Sequence, residues 1–145
     1  MGSKYIHYGH DRFIPEYFAQ PSNYAGFTKP RGGLWASPVD SDFGWAEWCE
    51  FENFHPELLK KSFTFEMTDG ANVLLIEDRA HLRGLPRLDS DYDFDWCLLD
   101  FEELIRRGVD AVEVHIRDYM LHHLLYGWDC DSIVVLNPDV IVEVD

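Results

Sequence analysis

Strand-forming runs stand at both ends of the chain with helical signals between them, and this order restricts the fold more than any other feature. Near the C-terminal end, Ser132-Ile133-Val134-Val135-Leu136 and Val140-Ile141-Val142-Glu143-Val144 are two β-branched runs divided by Asn137-Pro138-Asp139. β-Branched side chains lose rotamer freedom in helices and pack well on a pleated surface, so both runs predict strands. Lys4-Tyr5-Ile6-His7-Tyr8 has the same character at the other end. The chain has 145 residues, of which 46% are hydrophobic and 15% aromatic. That is one domain's length with ample material for a core. The expectation is a single α+β domain over residues 1–145 with mainly antiparallel sheets and flanking helices.

Between the ends, Gly9 to Arg31 carries three prolines and several aromatics without a sustained period. It predicts a long ordered loop with one helical turn near Pro15-Glu16-Tyr17-Phe18, and loops of that length are often functional. Gly32-Gly33 open a short strand, Leu34 to Ser37, closed by Pro38. Ser41 or Asp42 then caps a helix through Trp45, Trp48 and Cys49. Ser62 to Met67 alternates, Asp69-Gly70 reads as a turn, and Val73 to Ile76 follows, which predicts a hairpin. Leu98 to Arg107 reads as a helix with acids near its start and Arg106-Arg107 before Gly108. Ala111 to His115 is expected as a strand and Tyr119 to Tyr126 as a helix. Seven acids fall between Asp89 and Glu103. The run from Asp89 to Asp95 is expected to be an exposed irregular segment or edge, with Tyr92 and Phe94 turned inward.

Charge narrows the function. Asp and Glu number 27 against 12 Lys and Arg, a formal charge of −15. Such a balance repels phosphate backbones, and direct nucleic-acid binding is disfavoured. No apolar run approaches a bilayer span and the N-terminus lacks an apolar signal region, so no membrane partner and a cytoplasmic location are expected. Myristoylation is not expected either, because Ile6 stands where Ser or Thr is needed. Cys49, Cys97 and Cys130 lie far apart with no CxxC pair, which reads as reduced thiols. His122-His123, with His115, Glu113 and Cys130 in the vicinity, are the residues to weigh as metal ligands. Adjacent helical residues point about 100° apart, so ordinary histidines are the better reading and no metal is expected.

Several short motifs follow one another in a set order: Tyr5-Ile6-His7-Tyr8-Gly9; Lys29-Pro30-Arg31-Gly32-Gly33-Leu34-Trp35-Ala36-Ser37; Gly44-Trp45-Ala46-Glu47-Trp48; Gly108-Val109-Asp110-Ala111-Val112; and Asp131 through Ile141 with its central Asn137-Pro138-Asp139. This order resembles the ADP-ribosyltransferase fold shared by NAD-dependent toxins and poly(ADP-ribose) polymerases, is nearest to small bacterial and phage proteins, and implies that the mainly antiparallel sheets are split. The resemblance implies that NAD is bound as substrate and ADP-ribose is passed to a macromolecular acceptor, with protein favoured, in a setting of toxin, defence or phage–host conflict. It implies His7 on the nicotinamide-side ribose, Gly9 near the carboxamide with Tyr8 inserted between, and Gly33, Trp35 and Ser37 in the glycine-aromatic strand. Trp35 and Trp45 would clamp nicotinamide, a cationic ring that a tryptophan face attracts. His7 and Trp35 are expected to face one cleft with Trp45 at its rim.

The family usually places glutamate at the head of the penultimate strand, where it stabilises an oxocarbenium-like transition state. Ser132 holds that position here, with Asp131 beside it. A one-residue shift along a strand reverses the face. Asp131 is the first candidate for the catalytic charge and Glu113, on the preceding strand, the second. Two other readings use the same residues differently: an NAD glycohydrolase, with water as acceptor, and a non-catalytic acidic interaction or inhibitor protein that mimics nucleic acid.

Overall fold

The computed structural model describes residues 3–88 and 96–144; the acidic run from Asp89 to Asp95 lies outside the described residues. Among the described residues, seven strands and three short α-helices follow one another as β1 (Tyr5–Tyr8), β2 (Leu34–Pro38), α1 (Trp45–Glu52), β3 (Ser62–Met67), β4 (Val73–Ile76), α2 (Phe101–Arg106), β5 (Ala111–Val114), α3 (Tyr119–Leu124), β6 (Ser132–Val135) and β7 (Ile141–Val144). The strands form a mixed sheet in the order β4-β5-β6-β2-β1-β3-β7. Only the β4–β5 pair is parallel among those described. The α+β class is as expected.

The hairpin expected from Ser62 to Ile76 does not form. β3 pairs with β1 and β7, whereas β4 lies at the far edge beside β5. Alternation and an Asp-Gly turn are local signals. Val73 to Ile76 finds better cover beside β5, where Ile76 is fully buried and the His115 amide bonds its carbonyl.

Strand alternation divides the core in two. Val112, Val114 and Val134 face a cluster with Trp128, Phe101, Leu104, Leu121 and Leu125 from the helices and loops. Ala111, Ile133 and Val135 face the other way, onto Tyr5, Phe63 and Phe65. Ser132 to Leu136 is buried throughout because both its faces are covered. Trp128 is fully buried and donates its indole N–H to the Thr28 carbonyl at 3.2 Å, which ties the long first loop to the helical layer. Among the described residues no helix is long and apolar enough to cross a membrane.

Candidate active site

The site begins with an interruption in strand pairing. β2 pairs through Leu34, Trp35 and Ala36 with β6, but through Ser37 and Pro38 with β1. Beyond Ile6, therefore, β1 and β2 are no longer paired. Between them the His7 side chain stands in for the missing ladder, with Nδ1 2.7 Å from the Trp35 carbonyl oxygen. A carbonyl only accepts, so Nδ1 carries the proton and the neutral ring leaves Nε2 bare. Nε2 faces His10 Nδ1 at 3.3 Å, where His10 donates. Burial holds the His7 pKa below the ordinary histidine value; the Trp35 carbonyl opposes this and the His10 ring adds to it.

Along this opening runs a cleft of about 340 Å³. His7 and Tyr8 come from β1, Trp35 from β2, Trp45 from the start of α1, Lys29 from the first loop and Ser132 from β6. His7 also borders a smaller cavity of about 170 Å³ with His10, Arg12, Phe13 and Gly33, so its ring stands at the seam between the two.

Trp45 is positioned by the helix start. Its amide donates to Ser37 Oγ at 2.8 Å, and the Gly44 amide donates to Glu47 Oε1 at 3.3 Å. The cap thus comes from Ser37 on β2 and not from Ser41 or Asp42, since a side chain on the neighbouring strand reaches the free amide first. The Trp45 indole stacks on Trp48 with centroids 5.0 Å apart. Trp35 has different company: Trp128 packs against it at 4.9 Å and Lys29 Nζ lies over its ring, 5.2 Å from the centroid.

The polar groups of the cleft are few. Burial draws the Lys29 pKa below its ordinary value, opposed by Asp129 and Cys130. Burial pushes the Cys130 thiol up to about 11, which keeps it protonated and poorly nucleophilic at neutral pH. Ser132 Oγ donates to the Cys130 carbonyl at 2.9 Å. Asp129 lies 3.3 Å from His122 Nε2.

Asp131 and Glu113 are placed elsewhere. Asp131 turns away from the cleft face that Ser132 occupies, accepts from Ser41 Oγ at 2.7 Å and lies 3.4 Å from His115 Nδ1. Glu113 accepts from the Tyr5 hydroxyl and faces His115 Nε2, both at 2.5 Å. One imidazole thus joins the two candidate carboxylates in a nearly buried network, and neither lines the cleft. The physical reason is the face reversal along β6 together with the partners that both acids find on the opposite side.

Of the remaining expected residues, Ser37 acts as a helix cap and Gly33 as a point of close approach. A Cβ at Gly33 would come within 2.8 Å of Val134 Cγ2, and its φ of +76° is one that side chains rarely adopt. Gly9, with a φ of +115°, turns the chain out of β1 beside the His7 ring. Lys29 heads the glycine-aromatic motif of the sequence with no role of its own there, and Asp129 was not singled out. Nothing local marked the Lys29 side chain as a cleft residue, and Asp129 follows the Gly127-Trp128 pair without any motif of its own. No family model, curated protein or solved structure matches the chain.

Proposed function

We propose that the cleft between β1 and β2 binds NAD⁺ and that the chain is an ADP-ribosyltransferase-like protein, passing ADP-ribose to a macromolecular acceptor. The observation that carries this reading is the gathering of His7, Tyr8, Trp35 and Trp45, from three separate motifs, around one opening. In this reaction the bond between ribose C1′ and the nicotinamide nitrogen breaks and its electron pair leaves with neutral nicotinamide. The ribose carbon gains positive charge until a nucleophile of the acceptor bonds to it and sheds its proton. His7, with Nε2 bare, accepts from a ribose hydroxyl that takes the place of His10. Among the described residues lining the cleft, Asp129 alone carries a carboxylate, so Asp129 supplies the charge that stabilises the developing cation. Protein is the favoured acceptor because a charge of −15 repels nucleic-acid phosphates.

One observation favours a second reading, a binding protein without turnover: Ser132 occupies the position where the resemblance calls for glutamate, and its hydroxyl is engaged by Cys130. Incubation with NAD⁺, followed by detection of free nicotinamide and of labelled protein, separates the readings. Transfer predicts both products, and Asp129→Asn then lowers turnover about a hundredfold with NAD⁺ affinity little changed. Nicotinamide without label indicates hydrolysis, and binding without nicotinamide release indicates the second reading. A wild-type protein that does not bind NAD⁺ overturns both.

A further inference from the structure

We infer that the wall of the cleft formed by Lys29 and Trp35 is a subsite for a phosphoryl group; resting on the NAD⁺ reading above, it takes the dinucleotide's diphosphate and leaves Trp45 as the nicotinamide platform. Lys29 is the only lysine or arginine among the described residues lining the cleft, in a chain where acids outnumber bases 27 to 12. Its ammonium lies over the Trp35 ring, and among the described residues no hydrogen bond or ion pair holds it; Asp129 acts on it only at longer range. Its three donors are therefore free for a ligand.

The side chain is also held in place. Thr28, which precedes it, is buried and donates its hydroxyl to the Tyr126 carbonyl at 2.6 Å, while Pro30 behind it is buried as well. The stem runs beside Gly127 at contact distance: a Cβ there would stand 3.9 Å from Lys29 Cε. A cation held in this way costs little further ordering when an anion arrives.

The same arrangement argues against nicotinamide on Trp35. One face of that indole carries the ammonium and Trp128 packs against the ring. A cationic pyridinium there would sit against a like charge. Trp45 stacks on Trp48 and meets the edge of Phe54, with no cation from the described residues on its ring, and suits a cationic ring better.

Calorimetric titration of wild type, Lys29→Gln, Lys29→Met and Lys29→Arg with inorganic pyrophosphate, ADP-ribose, NAD⁺ and nicotinamide tests the assignment. Lys29→Gln and Lys29→Met should weaken pyrophosphate and ADP-ribose binding by about tenfold or more, the worth of one charge-assisted hydrogen bond. Lys29→Arg should retain most of the affinity, and nicotinamide binding should be alike in all four. Protection of Lys29 from amine acetylation by pyrophosphate in the wild type gives the same answer if the neutral variants do not fold. Unchanged ADP-ribose and pyrophosphate affinity in the neutral variants overturns the subsite, as does a wild type that binds neither compound. Pyrophosphate bound through Lys29 without NAD⁺ binding keeps the subsite and removes the NAD⁺ reading. Equal NAD⁺ binding with and without the lysine charge does the reverse.

Discussion

His7 shows how one side chain can serve fold and chemistry together. Its Nδ1 proton satisfies the Trp35 carbonyl where β1 and β2 part, and burial keeps the ring neutral. The folded pKa lies below the unfolded value, so the unfolded chain gains a proton that the native state resists. The stability that His7 contributes is complete above about pH 6.5, the unfolded value, and is lost as pH falls from there toward the folded pKa. Thermal unfolding of wild type and His7→Gln should show the wild-type advantage shrinking between pH 7.5 and pH 5.5; a constant gap would contradict the neutral ring. Trp128 makes a simpler case at this scale. Fully buried and bonded to the Thr28 carbonyl, it should cost about 3–5 kcal/mol on replacement by alanine in denaturant titrations, and Lys29 should lose its placement with it.

The elements are short, and side chains from neighbouring strands finish what local sequence starts. Helix α1 has eight residues and takes its cap from Ser37 on β2. Ser37→Ala should therefore lower stability by about 1 kcal/mol in chemical denaturation and weaken nicotinamide binding, since Trp45 is the residue whose amide loses its acceptor. Helices α2 and α3 are capped from within instead: Asp100 accepts from the Glu103 amide at 3.0 Å and Asp118 from the Leu121 amide at 2.7 Å. Gly33 belongs to the same scale. Gly33→Ala would drive a methyl into Val134 on β6 and toward the Val135 carbonyl, 3.0 Å away. The expected loss is about 1–3 kcal/mol, read as a lower unfolding midpoint, with the affinity of the folded fraction for ADP-ribose little changed.

Across the whole molecule, the network of Tyr5, Glu113, His115, Asp131 and Ser41 fastens β1, β5, β6 and the connection from β2 to α1. These elements are far apart in sequence, and the network holds them on the side of the sheet away from the cleft lining. Asp131→Asn keeps the shape but removes the charge facing His115. The expected result is a loss of about 1–3 kcal/mol in unfolding free energy with nicotinamide release from the folded protein near wild type. A folded Asp131→Asn variant that binds NAD⁺ but has lost turnover would move the catalytic role back to Asp131.

Much of this architecture was legible locally. Among the described strands, β-branched runs marked β4 to β7 and, with aromatics, β1; flanking glycines and a proline marked β2 and alternation marked β3, because pleat periodicity, side-chain branching and turn residues are properties of a few consecutive residues. The helices at Trp45, Phe101 and Tyr119 were marked by apolar spacing and terminal charges for the same reason. Partnership was not legible: the sequence pairs β3 with β4 through an Asp-Gly turn, while in the fold β4 lies at the opposite edge beside β5, where Ile76 is buried. The aromatic and histidine members of the cleft stood in motifs that could be read from the chain. Lys29 headed a motif without a role and Asp129 stood in none, because both acquire meaning only when Trp35 and the parting of β1 from β2 bring them to one wall. Which face of β6 an acid occupies depended on a single residue of register, and the partners waiting at His115 and Ser41 decided it. Composition and periodicity determined the elements of this protein; long-range pairing and burial, which depend on surfaces no local window contains, decided which of its charges meet.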